Sequence, residues 1–282
     1  MVVTRRAALK GIVATTVGAV TGGAAYGVAY ERHRLGITNA TLPVSGLPPG
    51  LDGLRIGFLT DIHHSAMVPA EDIRTAVNMV AAARPDLIIL GGDYVTWGDR
   101  GYVGPVAELL APLTAPHGVF AILGNHDDDR FMPMALAAKH IQVLKDARTR
   151  LEIRGEGLVL AGIRFWTRKA SEIVRIIGQP RETLLLLAHD PRRLDEAATL
   201  DIPAVLSGHT HGGQIVLPGV GAIARRNFPV LAGLNLFGRE WELHSLIVCT
   251  TLCHTDITFW QGKVKWCAHC PVAAVQALFG SK

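Results

Sequence analysis

Five short segments of this chain carry side chains able to hold metal ions: Asp61-Ile62-His63, Gly92-Asp93, Gly124-Asn125-His126-Asp127, His189, and Gly208-His209-Thr210-His211. Taken singly, each is an ordinary sequence, and a lone histidine is more often a satisfied core or surface residue than a ligand. Taken in order, each closing an apolar run, they describe one site. Alternation in Asp61-x-His63 at a strand end lets both side chains approach one ion. Asp93 has two carboxylate oxygens and can bridge two ions, Asn125 offers a neutral amide oxygen, and His189, His209 and His211 offer imidazole nitrogen. The i, i+2 spacing of His209 and His211 can send two rings to neighbouring ions. Mixed nitrogen and oxygen donors without thiolate suit Zn, Mn or Fe better than Ca or Mg, whose sites are nearly all oxygen.

Charge balance points to the substrate. Two dications bring four positive charges, Asp61 and Asp93 return two, and a bridging hydroxide removes one more. The expected site is net positive and attracts a phosphate anion. Two such ions polarise phosphoryl oxygens and generate an attacking hydroxide near neutral pH.

The elements that must position these groups are apolar runs alternating with helical stretches. Leu54–Thr60 ends at Asp61, Asp86–Leu90 ends at Gly91-Gly92-Asp93, and Val119–Leu123 ends at Gly124. Thr183–Ala188 runs into His189, and Ile202–Leu206 into Ser207-Gly208-His209. Between them, Glu71–Arg84 places Ile73, Val77, Val80 and Ala81 on one helix face. Near-continuous apolar strands alternating with helices indicate sheets buried on both faces. Loops at the carboxyl ends of such strands converge on one crevice, because a rigid sheet aims them.

The set D-x-H, GD, GNHD, H and GHTH resembles the calcineurin-like metallophosphoesterase family over about residues 47 to 237. Gly208-His-Thr-His-Gly-Gly-Gln214 and Leu51-Asp-Gly-Leu-Arg-Ile56 look most like its exported or membrane-associated bacterial phosphodiesterase branch. The resemblance implies an α/β fold, a two-sheet β-sandwich flanked by helices in four layers, with the site at the strand ends. It implies one metal held by Asp61, His63, Asp93 and His211, and a second held by Asp93, Asn125, His189 and His209. His126 is then expected to donate a proton to the leaving oxygen, or to stabilise its charge, with Asp127 orienting that imidazole. The function implied is a metal-dependent phosphohydrolase, in the first place a phosphodiesterase, whose substrate is a phosphate ester, lipid-linked as one option. The alternative is a catalytically impaired metal-binding surface protein of the same fold.

The 282 residues are 49% hydrophobic and 18% charged, enough for one large α/β domain and too apolar for a disordered chain. The net charge of +4 includes Arg5, Arg6, Lys10, Arg32 and Arg34 near the start, and no long basic run follows. No binding face for long nucleic acid is therefore expected. Arg5-Arg6 ahead of the uncharged stretch Gly11–Tyr30 reads as a twin-arginine export signal in residues 1–30, with a retained membrane anchor as the competing reading. The expected partners are thus the twin-arginine machinery and a membrane surface, and the expected location is outside the cytoplasmic membrane, periplasmic, cell-surface or membrane-anchored. Residues 31–50 read as a turn-rich linker and 51–238 as the catalytic domain.

Residues 239–282 depart from the family pattern and hold Cys249, Cys253, Cys267 and Cys270. Three readings compete for this tail, in the order of an altered reading frame, disulfides suited to an oxidising compartment, and a thiolate zinc site. On the first reading, closing strands of one sheet are expected to be missing. Among the other side chains, His64 reads first as a surface residue and second as a substrate contact. Tyr94 and Trp97 divide evenly between pocket lining and packing, and Phe228–Phe237 between core packing and approach to a membrane. His33, His117 and His140 carry no ligand spacing.

Overall fold

Arg5, Arg6 and Lys10 followed by the uncharged stretch from Gly11 form one long helix, α1 (Arg5–Ala29), whose N-terminus is capped by Thr4 accepting from the Ala7 amide at 3.3 Å. A computed structural model describes residues 4–30, 33, 35–44, 46–179, 181–211, 216–217, 221–222, 228, 233–237, 244–248 and 272–280. The remaining elements are β1 (Gly36–Pro43), β2 (Arg55–Leu59), α2 (Ala70–Ala83), β3 (Leu87–Leu90), α3 (Val103–Leu110), β4 (Val119–Ala121), α4 (Phe131–Ala137), β5 (Gln142–Val143), β6 (Ala147–Ile153), β7 (Glu156–Ile163), α5 (Ala170–Ile177), β8 (Thr183–Ala188), α6 (Leu194–Thr199), β9 (Ala204–Ser207), β10 (Val216–Leu217), β11 (Gly221–Ala222), β12 (Gly233–Phe237), β13 (His244–Val248) and β14 (Val272–Gly280).

Two six-stranded sheets face each other, in the orders β1-β14-β2-β3-β4-β5 and β12-β13-β9-β8-β7-β6. Strands β2, β3, β4 and β5 are parallel, as are β7, β8 and β9, so each sheet presents a row of carboxyl ends. Alternation along the strands sorts the side chains between layers. Ile56, Phe58, Leu87, Ile89, Phe120 and Ile122 of the first sheet meet Leu158, Leu160, Leu185, Leu187 and Leu206 of the second in one buried core. Leu59, Ile88, Leu90 and Val119 point the other way, onto Ile73, Val77 and Val80 of α2, Val106 and Leu110 of α3 and Met132 and Leu136 of α4. Val159, Ala161, Leu186 and Val205 likewise cover Ile173 and Ile177 of α5 and Leu194 and Ala197 of α6. The result is the four-layer, helix-flanked sandwich that the family resemblance implies, with both sheets buried on both faces as the strand pattern predicts.

Two segments differ from their sequence reading. Residues 36–43, within the stretch read as a linker, form edge strand β1, paired in parallel with β14. The tail after residue 238, expected to leave a sheet open, supplies β13 beside β9 and β14 between β1 and β2. The four cysteines lie outside the described residues.

Candidate metal centre

The loops after β2 and β3 are joined by three backbone hydrogen bonds, from Asp61 N–H to Gly92 O (2.9 Å), His63 N–H to Asp93 O (2.9 Å) and His64 N–H to Tyr94 O (2.8 Å). This pairing continues past the strand ends and brings Asp61, His63 and Asp93 side by side. Asp61, His63, Asp93, His209 and His211 all have positive φ, between 49° and 72°. Asp and His tolerate this left-handed region better than most residues, and its clustering at one site marks a backbone shaped to aim side chains.

The loop after β4 is held by Asp127. Its Oδ2 accepts from the amides of Asp93 and Gly124, and its Oδ1 from Tyr94, each at 2.8 Å. Burial, then the nearby Asp93 carboxylate, push Asp127 up to about 7 despite the amides that favour its charge. The Asp93 Oδ1 in turn accepts from the His126 amide at 2.8 Å. Gly124 sits so close beneath that a β-carbon there would strike the Asp93 carboxylate. The expectation that Asp127 orients the His126 ring is therefore corrected, since both its oxygens are engaged with backbone amides. The ring of His126 is set instead by the Trp97 amide, which donates to Nδ1 at 2.9 Å, and by the Trp97 indole in edge contact at 4.7 Å.

The second sheet contributes by crossing over. His189, fully buried, approaches Gly91 O through Nδ1 at 2.7 Å, which turns Nε2 to within 3.1 Å of Asp93 Oδ2. The His209 amide donates to both oxygens of Asp61, at 2.9 and 3.0 Å, while the Thr60 hydroxyl donates to Asp61 Oδ2 at 2.8 Å. Gly208 has no room for a β-carbon against Thr60 and Asp61.

Six of the seven expected ligand residues offer donor atoms that fall into two groups sharing Asp93. Asp61, His63, Asp93 and His211 offer donor atoms within 4.8 Å of one another, and so do Asp93, His189 and His209. Asn125 lies between Gly124 and His126, with Oδ1 buried. Of the seven buried side-chain nitrogen or oxygen atoms lacking a hydrogen-bond partner among the described residues, four are Asp93 Oδ2, Asn125 Oδ1, His189 Nε2 and His211 Nδ1. Although His189 Nε2 and Asp93 Oδ2 are close, their alignment is not that of a hydrogen bond. Buried polar atoms are rarely left unpaired, and this donor chemistry fits divalent transition-metal cations.

The electrostatics agree. Burial is the largest influence and opposes ionisation of Asp61 and Asp93, yet the His189 charge together with His211 at Asp61, and with His63 and the His126 amide at Asp93, outweighs it and lowers both. His63 is driven down to about 4 by burial against the pull of Asp93, and His209 to about 4 by burial and the charge of His189. Both rings are thereby kept in the neutral form that ligates metals. His189 goes the other way, up to about 10, because Asp93 and Asp61 overcome its burial. Two carboxylates that hold a proton on a buried imidazole so strongly are a demand for positive charge.

Sequence reading missed several neighbours. Phe165 stacks against His209 at 5.1 Å, Trp166 packs on Phe165, and the Arg168 guanidinium lies over both rings at 5.7 and 5.6 Å. Phe228 contacts His209 at 5.4 Å, with Arg192 above it at 5.2 Å and paired to Asp190. A Phe-Trp pair directly after β7 was the available signal. Residues 233–237 form β12 rather than continuing a loop. His64, read first as a surface residue, is instead buried, with Nδ1 at 2.9 Å from Val68 O. Tyr94 is core, its hydroxyl donating to Ile122 O at 2.9 Å, whereas Trp97 is 86% exposed at the lip of the site. A groove of about 610 Å³ lined by Gly46, Glu156, Arg181, Glu182 and Asp201 lies at the amino ends of β7 and β8 and touches none of the donors.

The calcineurin-like phosphoesterase family model matches residues 54–213, a stretch that contains every donor named above. The chain belongs to this family. Its members are hydrolases of phosphoesters that use divalent metals. The phosphoesterase is 31% identical over 230 residues to the uncharacterized metallophosphoesterase YkuE of Bacillus subtilis, covering 78% of this chain and 80% of that protein. It is 33% identical over 203 residues to phosphodiesterase YaeI of Escherichia coli, covering 66% and 72%. It is 29% identical over 255 residues to a transmembrane protein with metallophosphoesterase domain of Bos taurus, covering 82% of this chain and 56% of that protein.

Proposed function

We propose that this phosphoesterase is a phosphodiesterase with a dinuclear centre, one divalent ion on Asp61, His63, Asp93 and His211 and one on Asp93, Asn125, His189 and His209. The observation that carries this is the two groups of donor atoms that share Asp93, with Asp93 Oδ2 and His189 Nε2 buried between them without a hydrogen-bond partner. Two dications there would supply Lewis acidity toward the phosphoryl oxygens and lower the pKa of water between them. The protein's own part is geometric. Asp127 holds the Asp93 and Gly124 amides in place, and Thr60 and the His209 amide orient Asp61. Because Nδ1 of His126 accepts from the Trp97 amide, a neutral His126 carries its proton on Nε2 and acts as donor to the leaving oxygen.

The diester reading also draws on the likeness to a relative named as a phosphodiesterase. The purified full chain, supplied with Mn or Zn, is expected to hydrolyse bis(p-nitrophenyl) phosphate, to lose that activity to a chelator and to bind two metal equivalents by elemental analysis. Bound metal without turnover would favour a metal-carrying surface protein, and neither metal nor turnover would remove the assignment altogether.

The location we propose is outside the cytoplasmic membrane, reached by the twin-arginine route with α1 retained as an anchor. Arg5–Gly27 forms one helix long and apolar enough to cross a membrane, with a mean hydropathy of 1.2. Arg5, Arg6 and Lys10 at its start favour a cytoplasmic N-terminus and an external domain. A lipid-linked diester is the substrate class that fits this placement.

A further inference from the structure

The polarity of β1 decides which end of the catalytic domain lies nearest to α1. Strand β1 runs parallel to β14, with Gly36 opposite Val272, and β14 runs antiparallel to β2, with Val275 opposite Phe58. Gly36 therefore sits at the carboxyl end of β2, the end from which Asp61 and His63 emerge. A contact of its own supports this placement: His33 Nδ1 lies 2.8 Å from Asp72 Oδ2, in the first turn of α2, immediately beyond the site loop of β2. Only the six residues Tyr30–Leu35 separate α1 from β1, a span of at most about 25 Å even if fully extended.

The same end carries the exposed apolar surface. Outside α1 and its C-cap residue Tyr30, the exposed large hydrophobic side chains among the described residues are Met67, Trp97, Phe131, Met134, Trp166 and Val174. The first five follow the carboxyl ends of β2, β3, β4 and β7, in the site loops or the first turn of α4, and Val174 alone lies elsewhere, on α5. Arginines accompany them. The Arg100 guanidinium lies 4.4 Å from the Phe131 ring centre, and Arg168 lies over Trp166. The opposite end offers the Arg154-Gly155 hairpin and a groove with Glu156, Arg181, Glu182 and Asp201. Exposed tryptophan with adjacent arginine is the composition of a membrane interface, where rings sit among headgroups and guanidiniums meet lipid phosphates.

We infer that the metal-site end of the domain docks against the lipid bilayer that holds α1, so that the crevice takes a phosphodiester from the headgroup layer rather than from bulk water. This rests on the phosphodiesterase and anchor readings above, and adds to them an orientation and a source of substrate. The short tether limits how far the domain can turn away, and Met67, Trp97, Phe131, Met134 and Trp166 supply the contact.

The test reads orientation without requiring turnover. The full chain is reconstituted in phosphatidylcholine–phosphatidylglycerol vesicles containing a phospholipid with a photoreactive group at headgroup depth, and labelled peptides are identified by mass spectrometry. Peptides holding Met67, Phe131–Met134 and Trp166 should be labelled, and those holding Arg154–Glu156 and Arg181–Glu182 should not. Met67→Glu with Met134→Glu should lower site-end labelling about tenfold, through lost apolar burial, and leave turnover of a soluble aryl diester unchanged. Labelling of the opposite end, equal labelling of both ends, or labelling of α1 alone would overturn the inference. So would an unlabelled α1, or a site end that is protected only by self-association. A chain without phosphodiesterase activity but with site-end labelling would sink the catalytic reading and keep the orientation.

Discussion

The two sheets contribute to the site in different ways. The loops after β2, β3 and β4 form a frame that supports itself, in which Asp127 accepts from three amides, Asp93 accepts from the His126 amide, and the first two loops pair backbone to backbone. The loops after β8 and β9 are placed by groups they borrow from that frame. His189 is set by Gly91 O, and the His209 amide is set by Asp61. A crevice between two sheets needs one rigid wall, and the second wall can then be aligned by a few bonds across the gap.

The largest expected effect comes from the residue both groups share. Asp93→Asn should lower turnover by at least about 10³-fold, with elemental analysis showing loss of bound metal. Retained activity with full metal content would remove the shared-ligand picture. Next is the frame itself. Asp127→Asn puts an amide N–H₂ where an oxygen accepts, and should cost about 2–4 kcal/mol in chemical denaturation. If stability hardly changes and only substrates with poor leaving groups suffer, Asp127 serves His126 and the frame is misread.

The seam between the walls is tested by Gly208→Ala, whose β-carbon would meet Thr60 and Asp61. Metal affinity should fall about 10- to 100-fold in a calorimetric titration while the fold stays near its original stability. A loss of stability as great as that of Asp127→Asn would show that the second wall is no mere dependant. The smallest effect belongs to the core beneath the frame. Tyr94→Phe removes the bond to Ile122 O and should cost about 1 kcal/mol in melting experiments without altering turnover. A large loss of activity there would place Tyr94 in the site after all.

The legible parts were those written locally. Apolar runs ending in Asp, Asn or His revealed β2, β3, β4, β8 and β9 and the donors that follow them. Strand β1 was not legible, because Gly36–Pro43 has neither a continuous apolar run nor strict alternation and is strand only by pairing with β14. The strands of the tail were obscured in the same way, their partners lying far away along the chain. The role of Asp127 was misjudged because sequence proximity to His126 says nothing about the amides of Asp93 and Tyr94, more than thirty residues earlier.

What the sequence by itself determined is the inventory: seven donors of suitable chemistry, each at the end of a strand, since residue type and hydrophobic period are properties of short segments. Tertiary structure alone decided how they are used. The bond between Asp61 and the His209 amide joins residues 148 apart, the tautomer of His126 depends on an amide 29 residues earlier, and the end of the domain that meets α1 depends on the direction of an edge strand. No local pattern encodes such facts, because hydrogen bonds and strand polarity are set by which segments come to lie side by side.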